Sequence, residues 1–139
     1  MKTSRLEAAF LATTYRVETP EAIFDLRLGL PNPAFDTLLR QQGAASWGIV
    51  TACNPGGRLT PEENETRQAA LLDRLNALGW CRFPASNHAD FGKWPVEPGF
   101  CVLGVSEEAL CQLAVEFAQA AIVFGQAGHG GGRLIWLGS

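Results

Sequence analysis

Apolar and polar positions change period several times along the chain, and each change marks an element. Leu6, Ala9 and Phe10 recur at helical spacing behind Ser4 and Glu7, a capping-box pair that opens a short helix. Tyr15 to Val17 reads as extended and turns at Thr19-Pro20. The next stretch alternates: Phe24, Leu26, Leu28 and Leu30 face one way, Asp25 and Arg27 the other, the period of a half-buried strand. Asn32 and Pro33 then start a helix that Gly43 stops, with Phe35, Leu38 and Leu39 as its buried face.

From Trp47 to Cys53 both faces are apolar or small, the mark of a central strand. It ends in the turn Asn54-Pro55-Gly56-Gly57. Thr60-Pro61-Glu62-Glu63 supplies a cap, a proline at the first helical position and the reciprocal glutamate, so a helix runs from there to Gly79. Residues 80–98 read as mostly irregular, with at most a short strand at Trp80–Phe83. Phe100 to Val105 is an apolar strand. Ser106 caps a helix that buries Leu110, Leu113 and Phe117, and Ala121 to Phe124 is a further strand. The glycine-rich stretch Gln126–Gly132 reads as a hairpin loop before a closing strand at Arg133–Leu137.

The predicted order is α-β-β-α-β-α-(β)-β-α-β-β. Strands and helices are interleaved without strict alternation, which favours an α+β fold over a doubly wound one. The expectation is a mixed, mostly antiparallel sheet packed with about four helices. No repeat or linker divides the chain, so residues 1–139 read as a single domain.

Composition narrows the function classes. With 47% hydrophobic and 18% charged residues over 139 positions, the chain is neither disordered nor a coiled coil. Eleven basic against fourteen acidic side chains, a formal charge of −3, argue against a nucleic-acid duplex as partner, which needs a basic stripe. No apolar run approaches the ~20 residues of a membrane span. Arg5, Glu7 and Arg16 interrupt any secretory apolar stretch, so a cytoplasmic protein without a membrane partner is expected. Cys53, Cys81, Cys101 and Cys111 lack metal-ligand spacing and read as mostly reduced core thiols. No metal or cofactor is expected.

The passage from the central strand into the helix at Thr60 carries the most chemistry. A strand end, a glycine turn and a helix N-terminus leave backbone N–H groups in a concave spot with partial positive charge, suited to phosphate or carboxylate. Arg58 lies in that turn. The competing reading is that Thr60 and Glu63 satisfy those donors themselves. Residues 64, 68, 71, 75 and 78 share one helical face, which places Asn64 and Gln68 on the stripe of Leu71, Leu75 and Leu78. They either brace the loop around Asn54 or line a pocket. Thr51, Asn54, Arg58 and Asn64 are therefore candidate ligand-binding residues, with Arg67 and Arg27 as further cations. A nucleophile reading for Cys53 needs a histidine base, and neither His88 nor His129 is brought near it by any pattern.

With these segments in view, the chain resembles the bacterial family known as domain of unknown function 3293. The resemblance rests on Leu11-Ala-Thr-Thr-Tyr15, Leu26-Arg-Leu-Gly29 with Pro31-Asn-Pro33, Trp47 through Asn54-Pro55, Glu63-Asn64, Trp94-Pro95 with Glu97, and Phe117-Ala-Gln119 with Ala121-Ile122. The Thr-Ala-x-Asn-Pro and Glu-Asn pair is its most specific part. Pro98-Gly99 follows Glu97 where the pattern leads one to expect a serine-like position, which weakens any role for that glutamate. The resemblance implies a cytoplasmic bacterial domain and the place of a site, and no activity, substrate or cofactor.

Three function classes follow. The preferred one is binding of a small anionic metabolite or nucleotide at the Asn54–Arg58–Asn64 corner. The second is a protein-interaction or regulatory domain, which requires an exposed apolar patch around Trp80, Phe83, Phe91 and Trp94. The third is a small enzyme using the same corner. Ligand identity and oligomeric state have no signal in the sequence.

Overall fold

The computed structural model describes residues 2–55 and 57–137, with the side chains of residues 2–4 and 6 outside that description. Among the described residues the order is α1 (Lys2–Leu11), β1 (Thr13–Glu18), β2 (Ile23–Leu26), α2 (Pro33–Gln41), β3 (Ser46–Val50), α3 (Pro61–Leu78), β4 (Arg82–Ala89), β5 (Glu97–Leu103), α4 (Glu107–Glu116), β6 (Ala121–Gln126) and β7 (Arg133–Trp136). This is the expected α+β order, including the strand left in brackets. The Ser4 cap with its Leu6 stripe, and Gly56 of the turn, lie outside the described side chains and residues. The backbone of α1 is already helical at Lys2.

The strands form one sheet in the order β2-β1-β4-β5-β3-β6-β7, every neighbouring pair antiparallel. Alternation along each strand then sorts side chains to two faces. Tyr15, Val17, Trp47, Ile49, Cys101 and Val123 form one core with Phe35, Leu38 and Leu39 of α2. Val50, Phe100, Val102, Ile122 and Phe124 form the other with Leu71 and Leu75 of α3 and Leu110 and Leu113 of α4. Helices thus cover both faces, which is why β3 is apolar on both sides. At Gly48 the Leu110 side chain occupies the place a Cβ would take, so only glycine lets α4 approach β3 this closely.

The sheet curls until its two rims touch. Leu28, just beyond β2, forms an isolated bridge with Gly132, just before β7, and Gly29 N donates to Gly132 O at 2.8 Å.

Three expectations need correction. The alternating stretch to Leu30 is a strand only to Leu26, because Gly29, at φ 74°, turns the chain away. Residues 80–98 are not mostly irregular: β4 covers eight of them, paired with β1 on one side and β5 on the other. Its sequence hides this, since Pro84 and the polar residues Arg82, Ser86, Asn87 and His88 give it neither a clean apolar face nor a donor at every position. Cys81 is exposed, while Cys53 and Cys101 are buried, so the core reading fails for that thiol.

Candidate functional site

Beyond β3 the chain runs through Thr51, Ala52 and Cys53 to Asn54, whose φ of 50° lies in the left-handed region that asparagine tolerates better than most residues. Thr51 Oγ1 donates to Pro98 O at 2.8 Å, tying this segment to the start of β5. α3 then opens on a closed capping box: Glu63 N donates to Thr60 Oγ1 at 3.1 Å, and Thr60 N donates to Glu63 Oε1 at 3.0 Å. The Thr60 backbone N–H, and then its side chain, hold the Glu63 carboxyl below the usual carboxylate range. Two helix-terminal donors that an anion would need are therefore already taken.

Asn54 organises the corner. Its side-chain oxygen accepts from Leu59 N at 2.8 Å and from Asn64 Nδ2 at 2.9 Å, and its backbone N–H donates to Asn64 Oδ1 at 2.9 Å. Its Nδ2 donates to Glu97 Oε2 at 2.6 Å. The same carboxylate oxygen accepts from Trp94 Nε1 at 3.4 Å, and the Arg58 guanidinium lies 5.7 Å from the Trp94 ring centre. Asn64 is half-buried and both ends of its amide bond to Asn54, so the bracing role is fulfilled.

The corner is also concave. A cavity of about 510 Å³ lies between α3 and the segment entering β5, with Asn54, Arg58, Asn64, Gln68 and Glu97 among its polar lining. Leu59, Pro61, Leu72, Val96 and Phe100 contribute apolar wall. The Gln68 side-chain oxygen is buried without a hydrogen-bond partner. A more open concavity of about 480 Å³, by Arg40 and His129, gathers mostly small residues.

The other sequence candidates lie elsewhere. Arg67 does not reach the cavity mouth: its Nε donates to Ala52 O at 2.6 Å and an Nη to Phe117 O, which braces the end of β3 against the end of α4. Gln119 Nε2 adds bonds to Cys53 O and Phe117 O in the same brace. Arg27 sits at the rim strand β2, paired with Asp90 at 2.6 Å and bonded to Thr14. Cys53 has no histidine partner. Its thiol sits 3.7 Å from Pro98 O, burial pushes its pKa up, and His88 contacts Ser86 Oγ at 2.8 Å instead. Leu78 lies on the helix stripe but is 37% exposed, so burial stops at Leu75.

Sequence reasoning underrated Glu97 and Trp94. Glu97 reads as a loop residue, yet it is the first residue of β5 and stands opposite Asn87 of β4. The resemblance includes both residues, but Pro98-Gly99 after Glu97 departs from its pattern and draws weight away from that glutamate.

A family model described as protein of unknown function (DUF3293) matches residues 50–122, just over half of the chain. The chain belongs to that family. The DUF3293 match opens at the last residue of β3 and closes just inside β6, so it contains the Asn54–Asn64–Glu97 corner whole. No curated protein and no solved structure matches the chain. Among the described residues of this DUF3293 protein no group of three or more His, Cys, Asp or Glu is placed to hold a metal ion. None of the described helices is long and apolar enough to cross a membrane.

Proposed function

We propose that the corner binds a small organic ligand, with its apolar body against α3 and the start of β5 and an anionic end at Arg58. The observation that carries this is the coincidence of a cavity with the residues that spacing singled out: Asn54, Arg58 and Asn64 all line it. Pockets of several hundred Å³ with mostly apolar walls and a few convergent polar groups are the usual form of a ligand site. Because Thr60 and Glu63 occupy each other, the anion falls to Arg58 rather than to the helix N-terminus. A cytoplasmic setting, in which the four free cysteines stay reduced, belongs to the same proposal.

A thermal-shift screen of nucleotides, phosphosugars and dicarboxylates tests it, since a ligand specific to the native state raises apparent stability. A shift present in wild type and reduced in Arg58→Ala supports the corner. An equal shift in both removes it as the site.

A second reading, docking of a protein, draws on Phe91, Trp94 and Val96, which are 82%, 53% and 51% exposed in the segment before β5. The wider patch it required is not formed. Phe83 packs against the core that contains Tyr15, and Trp80 against the core that contains Leu71.

A further inference from the structure

Resting on the ligand-binding reading above, we infer that the inner end of the ligand is an amine-type hydrogen-bond donor, an ammonium or amidinium recognised by Glu97 and Gln68. At Gln68 the buried atom left without a partner is an acceptor, and so is the oxygen that Glu97 leaves free. The Gln68 oxygen is buried without a partner, although a buried polar group is almost always bonded to something. Glu97 receives Asn54 and Trp94 on a single oxygen, Oε2, which leaves Oε1 without a donor among the described residues. Asn54, by contrast, has both ends of its amide engaged within the protein.

Charge points the same way. Arg58 and Glu97 line one cavity but form no ion pair, because the Trp94 indole engages the guanidinium through its ring face and the carboxylate through Nε1. The positive charge at the mouth does not cancel the negative charge within. A phosphate or carboxylate pushed to the inner end would meet Glu97 and a carbonyl oxygen, both repulsive. A cationic N–H donor would meet two acceptors, one of them charged, in partly desolvated surroundings where such bonds are strongest. An apolar-bodied ligand with an ammonium at one end and an anion at the other answers the Gln68 oxygen, Glu97 and Arg58 together.

Three probes of one shape separate this from the broader reading: 4-(aminomethyl)benzoate, its isostere 4-ethylbenzoate, which lacks the amine, and benzylamine, which lacks the carboxylate. Binding is followed by chemical-shift changes of the Gln68 side-chain amide and the Trp94 indole N–H. The aminomethyl compound is expected to bind at least about tenfold tighter than the ethyl compound, the loss expected when a charged donor is removed. Gln68→Leu, which removes no hydrogen bond made within the protein, should reduce that ratio, and Gln68→Glu should raise it. Arg58→Ala should weaken both carboxylates while leaving their ratio unchanged. Equal or tighter binding of 4-ethylbenzoate at this cavity overturns the inference and leaves the ligand-binding reading standing. An unchanged ratio in Gln68→Leu removes Gln68 from it. No shift with any of the three probes also overturns the inference, and the thermal-shift screen with Arg58→Ala then decides the ligand-binding reading by itself.

Discussion

Asn54 and Asn64, ten positions apart, exchange two hydrogen bonds of 2.9 Å each, backbone N–H to side-chain oxygen in one direction and side-chain amide to side-chain oxygen in the other. The exchange pins a left-handed residue after β3 to the second turn of α3, on the wall of the cavity. Asn64→Leu should leave the Asn54 N–H without a partner and cost about 1–3 kcal/mol of stability. Urea denaturation measures it, and an unchanged midpoint would show that Asn64 is not a brace.

Arg67 is the site candidate whose role the structure reassigns. Its guanidinium bridges Ala52 O and Phe117 O, so Arg67→Ala should remove two charge-assisted bonds and destabilise the fold by roughly 1.5–3 kcal/mol. Arg67→Lys should recover only part of this, since one ammonium cannot reproduce the planar fork. A ligand affinity that falls while stability stays intact would return Arg67 to the site.

Arg58 is expected to behave in the opposite way. It is exposed, and its contact is with the face of Trp94. Arg58→Ala should leave the urea midpoint within about 0.5 kcal/mol of wild type while weakening an anionic ligand by about 1.5–3 kcal/mol. The Trp94 indole N–H resonance should report the loss.

Acid should loosen the β2 rim first through Asp90. Hydrogen bonds from Arg27 and then Thr14 hold its carboxyl below the usual carboxylate range. A folded pKa below the unfolded one contributes stability that is present above the unfolded value, near 4, and lost as pH falls through the folded value. Asp90→Asn should therefore be less stable than wild type at neutral pH and converge with it as pH falls below the folded value. A constant gap across that range would assign the loss to packing instead.

Local signals were legible and distant ones were not. Thr60-Pro61-Glu62-Glu63 announces the start of α3, and the box closes as written, because every partner lies within four residues. Asn64 and Gln68 stand out because two amides on a leucine stripe need an explanation. β4 and Glu97 escaped for the opposite reason. Arg82–Ala89 is held as a strand by ladders to β1 and β5, which no period inside its own eight residues encodes. Glu97 acquires its place from an asparagine 43 positions earlier. Arg67 shows in the sequence only as a cation near the corner, and the carbonyls it serves come from the ends of β3 and α4, which meet only in the folded chain.

An open seven-stranded sheet would carry two rows of unpaired amides, each a template on which another chain could add a strand. The bridge between Leu28 and Gly132 turns one rim toward the other and closes that opportunity where they meet. It depends on Gly131, at φ 95°, where a Cβ would stand 2.5 Å from the Leu30 carbonyl oxygen. A side chain there would part the rims at their only clasp among the described residues. The cost would fall less on the cavity beside α3 than on how readily one molecule seeds stacking with the next.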